Sequence, residues 1–560
     1  MHKDYDKFIK LAMKKLPKSS EGFQQLKKDI CRKIGGFPPT NADLRDCYDK
    51  LLKTKRIRRS EKLEKLLKSR GVRTESGVAV IAVLTKSYPC PGKCLYCPTE
   101  KDMPKSYLSN EPAVMRAIKV EFNPYDQVQT RINSLELNGH NTDKIELIVM
   151  GGTFSALPGH YQKYFIWQCF KACNEYERVR NVHKARKFLK SDLDKLLLEE
   201  QGKNEKAKHR IVGLTLETRP DCIDEKEIAN FRNLGCTRVE IGVQSILNNV
   251  LEKNKRGHSV SETIRATKLL KDAGFKINYH IMPGLYGSSL KKDYWMFKEL
   301  FSNSDFQPDM LKIYPTIVTK NSALYKIWRA KKYKPLTDKN FQKFILKVKK
   351  EIIPPYVRIA RLVRDVPSTS IVAGPTISNL RQLIEKNSAC QCIRCREIGA
   401  DYAIREKIVL DRINYNASDG KEIFLQYVSP DRKKLFALLR LRITSTPPHQ
   451  IRYTRNIGDN YPSNFQKSTS SHKYKNWCGG KNSAIIREVH TYGKLAKINK
   501  KDKTSPQHIG LGKKLILEAE KIAKKEFNLN KIVVISGVGV REYYRKLGYR
   551  LENTYMVKLI

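Results

Sequence analysis

Seven short apolar runs, rich in β-branched side chains, punctuate the chain between residues 78 and 362. They lie over residues 78–84, 145–150, 211–216, 238–243, 276–281, 310–314 and 357–362. Between them apolar residues recur at helical spacing, as over 262–272, which stops at Gly274. Strands alternating with helices in this rhythm predict a parallel α/β structure, a partial βα barrel or an open sheet. In either, chemistry gathers at the carboxyl ends of the strands. Before residue 75 the pattern is helical and basic. Pro38-Pro39-Thr40 ends one helix and caps the next with Asp43, and Leu44, Tyr48, Leu51 and Leu52 form its apolar stripe. From about residue 396 the pattern turns antiparallel. Residues 423–427 and 435–442 read as paired strands around a turn at 430–432; 484–490 and 531–536 read as further strands. Gln507-His508-Ile509-Gly510-Leu511-Gly512 is expected to open a helix running to about Glu526. The polar stretch 459–482 reads as a loop or insertion. The expected units are 1–75, 76–370, 371–400 and 401–560.

The predicted strand ends carry the informative residues. The first is followed by Cys90-Pro91-Gly92-Lys93-Cys94-Leu95-Tyr96-Cys97. Three thiolates spaced C-x3-C-x2-C suit three corners of a cubane iron–sulfur cluster, which normally takes four cysteines. A fourth iron left open for another ligand is the radical S-adenosylmethionine (SAM) arrangement. A zinc knuckle or three unrelated buried thiols is the competing reading. Later strand ends carry Gly151-Gly152, Glu217-Thr218-Arg219-Pro220, Gln244-Ser245, His280 and Tyr314-Pro315. The glycine pair can admit backbone close to a bound methionyl group. Glu217 can accept from a ribose, and Arg219 can meet a carboxylate or phosphate; for each, a salt bridge at the barrel mouth is an equal reading. His280 reads as a satisfied barrel histidine before a ligand.

Charge changes the picture next. Lys plus Arg number 108 against 57 for Asp plus Glu, a net +51. Such an excess speaks of partners, with nucleic acid first among them. Residues 50–73 hold eleven Lys or Arg against Glu61 and Glu64, interrupted by Leu63, Leu66 and Leu67. That suits a docked helix with a cationic outer face able to meet phosphates. Residues 320–350 interleave Tyr325, Trp328 and Tyr333 with cations, either for base stacking or as the core face of a helix. No apolar run approaches the roughly 20 residues of a membrane span, and residues 1–10 lack the core of a signal peptide. The expectation is a cytoplasmic protein without a membrane partner. The 13 cysteines, six of them in two tight clusters, suit metal binding in a reducing compartment.

The second cluster, Cys390-Gln391-Cys392-Ile393-Arg394-Cys395, has zinc spacing and needs one more ligand, with His449 and His490 as candidates. Near the C-terminus, Gln507, Gly510 and Gly512 form Q-x-x-G-x-G at a helix start, a site for an anion. It is followed by a strand, Gly537-Val538-Gly539 and Tyr543-Tyr544-Arg545-Lys546-Leu547-Gly548-Tyr549. That order resembles the GNAT acetyltransferases, which grip the pyrophosphate of acetyl-CoA at the glycines and place a tyrosine near the thioester.

A cysteine triad, a barrel and a GNAT module together resemble the family of the Elongator catalytic subunit over nearly the whole chain. Matching stretches include Asn110-Glu111-Pro112, Met115-Arg116-Ala117, residues 143–154, Glu217 to Asp221, residues 239–245, Arg256-Gly257-His258, residues 535–539 and Tyr543 to Tyr549. The resemblance implies a radical SAM partial barrel with a basic helical N-terminal region and a C-terminal GNAT α+β domain. It implies carboxymethylation of tRNA wobble uridine at C5, with a [4Fe–4S] cluster, SAM and acetyl-CoA. Cys90, Cys94 and Cys97 match the cluster ligands. Lys144 matches a lysine contacting acetyl-CoA; Glu488, Val489, His490, Thr491, Leu511, Gly512, Lys513 and Tyr544 match the GNAT-side contacts. Cys390, Cys392 and Cys395 match zinc-bearing members, whereas the 459–482 insertion departs from the pattern. The implied partners are tRNA and either Elongator-type subunits or a second copy. The expected active site is one cleft, with Lys144 and the barrel mouth facing Tyr544 and His490, and Tyr543 a further catalytic candidate. The alternatives are a protein lysine acetyltransferase with a structural iron–sulfur domain, and an RNA-binding scaffold without catalysis.

Overall fold

The structure, a computed structural model, describes residues 5–34, 38–68, 77–176, 192–385, 389–399, 406–444, 483–493 and 510–560. Its first sheet has seven parallel strands in sequence order. They are β1 (Ala79–Leu84), β2 (Lys144–Met150), β3 (Arg210–Thr218), β4 (Arg238–Gln244), β5 (Lys276–Ile281), β6 (Met310–Ile313) and β7 (Arg358–Arg361). Every apolar run singled out in that region is a strand. Among the described residues β7 does not pair back to β1, so the sheet is a half-barrel open along one side.

Side-chain alternation decides what the two faces carry. In β2, Ile145, Leu147 and Val149 are buried in the core beneath the outer helices Pro124–Leu137 and Gly159–Asn174. Lys144, Glu146, Ile148 and Met150 therefore face the bore. The same alternation turns Thr215 and Glu217 of β3, Arg238 and Glu240 of β4, Asn278 and His280 of β5, and Lys312 of β6 inward. The outer face is a conventional apolar core; the bore is polar.

The second sheet runs β13–β14–β12–β11–β10–β9–β8. Its strands are β8 (Val409–Ala417), β9 (Gly420–Val428), β10 (Leu435–Thr444), β11 (Ser483–Thr491), β12 (Lys531–Val534), β13 (Arg550–Glu552) and β14 (Tyr555–Leu559). The expected β9–β10 hairpin is present, turning through residues 429–434. The first strand, β8, has a polar alternating sequence that did not announce itself. Only β11 and β12 pair in parallel, from Ala484–Ile532 to Ile486–Val534. Then β12 ends while β11 runs on to Thr491, so the pair comes apart.

This sheet docks on the amino-terminal ends of the barrel strands. The turn Gly537-Val538-Gly539 lies so close to β3 that a Cβ on Gly537 would sit 2.2 Å from the Val212 carbonyl oxygen. One on Gly539 would sit 2.6 Å from Arg210 Cβ. These glycines are there for contact. Buried ions complete the joint. Arg487 donates to Asp309 at 2.5 and 3.0 Å, to Glu422 at 3.0 Å and to the Phe275 carbonyl at 2.6 Å. Arg442 donates to Asp272 at 2.5 Å, and Arg440 to the Tyr356 carbonyl at 2.6 Å. Burial would raise the Asp309 and Glu422 carboxyls, but Arg487 and Lys271 outweigh it and hold both below the usual carboxylate range. Burial pushes the Lys271 ammonium down to about 8.

The N-terminal helices Asp6–Lys14, Ser20–Ile34, Asn41–Lys53 and Glu61–Leu67 close a small core of their own around Phe8, Phe23, Tyr48 and Leu63. The capping box of Thr40 and Asp43 forms as its spacing predicts. The bundle reaches the barrel at Gly139, φ +77°, where an added Cβ would sit 3.3 Å from Lys68 Cα. Among the described residues no helix is long and apolar enough to cross a membrane.

Removing one partner of a buried ion pair strands the others, at roughly 3–5 kcal/mol. Arg487→Met should therefore lower stability by about 3 kcal/mol in denaturant titration, with the barrel and the second sheet both affected. A change under about 1 kcal/mol would show that the joint does not depend on this guanidinium.

Candidate active site at the two ends of a half-barrel

The cysteine loop sits where the alternation places it, at the carboxyl end of β1. Cys94 is buried, and Cys90 and Cys97 are partly so. Arg256 Nη1 donates to Cys94 Sγ at 3.3 Å. Arg219 runs beneath the loop, where a Cβ on Gly92 would lie 2.2 Å from its Nη1. It is pinned by three bonds to Asp221 and one to the Arg256 carbonyl oxygen. A hydrogen bond from Cys97, reinforced by Arg256 and Arg219, draws the Cys94 thiol well below its usual range. A cavity of about 630 Å³ opens beside Cys90, Cys94 and Cys97, bordered by Lys93 and Lys105. Gly151 and Gly152 flank this end at φ +137° and +97°. A Cβ on Gly151 would come within 2.0 Å of Thr85 Oγ1, so only glycine lets the backbone turn there. Three thiol sulfurs, two buried guanidiniums and the partnerless Arg219 Nη1 fit an anionic thiolate-ligated cluster with a further anionic ligand.

Below the loop, ions line the bore. The Tyr107 hydroxyl donates to Glu217 Oε2 at 3.0 Å. Glu217 Oε1 lies 3.5 Å from His280 Nδ1, whose Nε2 is 3.0 Å from Glu240 Oε2. Asn278 donates to Glu240 Oε1 at 3.1 Å, and Lys312 to Oε2. Burial alone would raise the Glu240 carboxyl, yet Lys312 and His280 hold it well below the usual range. His280 is thus paired on both sides, the satisfied barrel histidine of the two readings. Arg238 bonds Glu146 at 2.5 Å one turn of the pleat lower.

At the amino-terminal mouth the second sheet takes over. Lys276 and Arg440 bond the two Glu488 oxygens at 3.1 and 2.9 Å, and outweigh burial to hold Glu488 far down. Burial pushes His490 down to about 4, leaving it neutral with Nε2 unpartnered. Val489 and Thr491 point the other way, toward the helix Leu511–Phe527. There a Cβ on Gly512 would meet Tyr543 Oη at 3.4 Å and Thr491 Cγ2 at 3.6 Å. Gly510, at φ +78°, starts that helix and frees its N–H groups for an anion. Lys513 lies in its first turn. Tyr544 is buried edge-on between Tyr543 and Tyr549, at 5.4 and 5.7 Å, and burial raises its hydroxyl pKa. Tyr543 is the more exposed of the pair. Gln507, His449 and the 459–482 insertion lie outside the described residues.

One expectation needs correction. Lys144 is the first residue of β2, and the cysteines follow the last residue of β1, with which β2 is parallel. Lys144, Glu488 and His490 therefore belong to the opposite end of the strands from the cysteine loop, about 20 Å away along a seven-residue strand. A single cleft becomes two sites at opposite ends of one parallel sheet. Lys144 itself is lowered by burial against the opposing pull of Asp143.

The second cysteine cluster closes on itself. Cys390, Cys392 and Cys395 bring their sulfurs within 4.8 Å of one another, and Lys349 Nζ is 3.5 Å from Cys395. His490, proposed as a fourth ligand, instead stacks on Tyr492 with ring centres 4.4 Å apart, and is no member of the group. Tyr325 and Trp328, stacked at 5.8 Å, pack into the apolar cluster under the cysteine loop. Their segment also bonds that loop through backbone, Leu324 to Leu95 and Thr99 to Asn321. Arg256, Tyr107, Glu240 and Lys312 went unassigned in the sequence. Charged residues at alternating positions of otherwise apolar strands are the signal that marks Glu240 and Lys312; Arg256 lies in the matching stretch Arg256-Gly257-His258, but nothing local points it at Cys94.

Comparison with known proteins agrees with this geometry. The Radical SAM superfamily profile matches residues 85–294, and the Radical_SAM C-terminal domain profile matches 308–389. A tRNA uridine(34) acetyltransferase of Methanocaldococcus infernus is 42% identical over 96% of this chain and 94% of its own. The chain belongs to the Elongator complex protein 3 family. The human Elongator complex protein 3 is 37% identical over 88% of this chain and 86% of its own. The solved structure of an N-terminally truncated M. infernus Elp3 aligns with a TM-score of 0.67 at 41% identity, covering 86% of this chain and 99% of that one. Within this Elongator protein 3 relative, the half-barrel is the radical SAM part, and the mixed sheet follows it.

The neutral His490 yields a pH prediction. Between about pH 6.5 and 4 its imidazole takes a proton only in the unfolded chain, so stability should fall with pH across that window. The loss amounts to about 3 kcal/mol at most. His490→Gln should flatten the slope of stability between pH 7 and 4.5 in denaturant titrations. Equal slopes would mean that His490 protonates freely in the fold.

Proposed function

We propose that the protein carboxymethylates C5 of the wobble uridine of tRNA, using acetyl-CoA and SAM. The observation that carries this reading is the pairing of a thiolate loop at the carboxyl ends of the barrel strands with an opened strand pair at their amino-terminal ends. The names of the relatives place their activity on tRNA uridine(34). A net charge of +51 supports a polyanionic substrate. Exposed Lys86, Lys93 and Lys101 beside the cysteine loop support its arrival at that end. Elongator-type partner subunits belong to the same proposal.

Cys90, Cys94 and Cys97 would hold the [4Fe–4S] cluster. With SAM, that group supplies one-electron chemistry that yields a carbon radical able to take a hydrogen atom from an unactivated C–H bond. Arg256 and Arg219 balance thiolate charge there, and Gly151 and Gly152 let backbone approach the ligand. Glu217, fixed by Tyr107 and His280, is positioned to accept from hydroxyls. At the other end Gly510, Leu511, Gly512 and Lys513 would bind the CoA phosphates, with Val489, Thr491 and Tyr543 beside the arm and Lys144, Glu488, His490 and Tyr544 around the mouth. Uracil C5 is too weak a nucleophile to take an acyl group readily, whereas a carbon radical adds to the C5–C6 double bond. That is the reason for coupling the two ends. Cys390, Cys392 and Cys395 would hold a structural zinc with one further ligand.

The test is anaerobic incubation of cluster-loaded protein with SAM, reductant, acetyl-CoA and a tRNA bearing wobble uridine, followed by nucleoside mass spectrometry. The expected product is carboxymethyluridine at that position, reduced at least a hundredfold by Cys94→Ser. Untouched tRNA together with SAM-independent acetylation of a lysine peptide would establish a protein acetyltransferase instead.

A further inference from the structure

A buried charge is ordinarily paired with an opposite one. Arg219, beneath the cysteine loop, follows that rule through Asp221. Its neighbour Arg256 does not. Arg256 is buried, and among the described residues no carboxylate pairs with it. Its Nη1 donates to Cys94 Sγ at 3.3 Å, its Nη2 donates to the Gly242 carbonyl oxygen, and its Nε has no partner. The group of acidic character that this guanidinium faces is therefore a sulfur.

The backbone holds it there. A Cβ on Gly242 of β4 would lie 2.6 Å from Arg256 Nη2, so the glycine makes room for the guanidinium. Arg219 Nη2 donates to the Arg256 carbonyl oxygen at 2.8 Å. The N–H of Leu95, next to Cys94, donates to the Asn254 carbonyl oxygen at 3.1 Å, and Asn254 Nδ2 donates to that of Tyr286 at 2.8 Å. The cysteine loop and residues 254–256 are thus one bonded unit, and Cys94 and Arg256 keep their spacing. Cys90 Sγ, by contrast, lies 3.6 Å from the neutral hydroxyl of Thr153.

We infer that Arg256, through its hydrogen bond to Cys94 Sγ, raises the reduction potential of the iron–sulfur cluster held by the three cysteines. The inference rests on the reading of Cys90, Cys94 and Cys97 as cluster ligands, and is independent of what the protein does to tRNA. Three thiolates make the oxidised cluster anionic, and one added electron makes it more so. No bond forms or breaks in that step, and the electron comes from an external one-electron reductant. A fixed positive charge favours the more anionic state, the more strongly in a buried site of low dielectric. An N–H donated to a ligand sulfur draws electron density from it and acts in the same direction.

Redox titration of the cluster-loaded full chain without SAM, followed by electron paramagnetic resonance, tests this. Arg256→Met should lower the equilibrium constant for reduction about tenfold, a midpoint about 59 mV more negative. Arg256→Lys keeps the charge and should recover part of that shift. An unmoved midpoint in Arg256→Met, or a lysine variant as low as the methionine one, would overturn the inference. Wild-type protein grown on nitrogen-15 arginine gives a readout that no variant's cluster loading affects. In pulsed resonance the reduced cluster should show a weakly coupled arginine nitrogen, lost in Arg256→Lys. No such coupling, or one that survives Arg256→Lys and so belongs to Arg219, would contradict the role of Arg256. The two readings fail separately. Wild-type protein that takes up no iron at the three cysteines removes the cluster itself; a full cluster with an unmoved potential removes only the part played by Arg256.

Discussion

Everything in this molecule depends on a patch of buried charge between two sheets. Asp309, just before β6, accepts from both terminal nitrogens of Arg487 from β11, and Glu422 of β9 is shared between that guanidinium and Lys271. Buried pairs contribute little net stability once desolvation is counted. Their value is geometric. A planar guanidinium bonded to a carboxylate on two sides admits one orientation. Arg487 on Asp309 and Arg442 on Asp272 therefore fix the second sheet against the barrel in translation and rotation. Gly537 and Gly539 allow the remaining close approach to β3.

From that fixed joint follows the separation of tasks. The amino-terminal ends of a parallel barrel are ordinarily a stability surface, with chemistry at the carboxyl ends. Here the second sheet covers the amino-terminal ends and contributes Glu488 and His490 to the floor of the bore. The carboxyl ends keep the cysteines, two glycines and an arginine pair. Between the ends, strand alternation turns mostly polar groups inward along β3, β4, β5 and β6, with Gly213, Gly242 and Met310 as exceptions, and Glu240 gathers Asn278, His280 and Lys312.

Much of this was readable in advance. Strand periodicity gave all seven barrel strands, and thiol spacing gave both cysteine clusters, because each is a local property of the chain. The capping box at Thr40 and Asp43 and the helix after Gly510 are local too. The position of Lys144 was misjudged because motif matching assigns partners without direction; counting it as the first residue of β2 would have placed it away from the cysteines. Arg256 beside Cys94 is 162 residues distant in sequence and could come only from the fold. The glycines of 537–539 looked like a turn, whereas their reason is the Val212 carbonyl pressed against them. Strand β8 escaped because its alternation of polar and apolar residues is weak at a sheet edge.

The central claim is that the two ends of the half-barrel serve one reaction. The direct measurement is the fate of deuterium from methyl-deuterated acetyl-CoA, followed by mass spectrometry of 5′-deoxyadenosine formed by the cluster-loaded protein with SAM, reductant and tRNA. The predicted result is deuterium in 5′-deoxyadenosine, which requires the acyl methyl to have reached the cysteine end. Unlabelled 5′-deoxyadenosine, from protein shown to bind both SAM and acetyl-CoA, would contradict it and leave two separate sites in one chain.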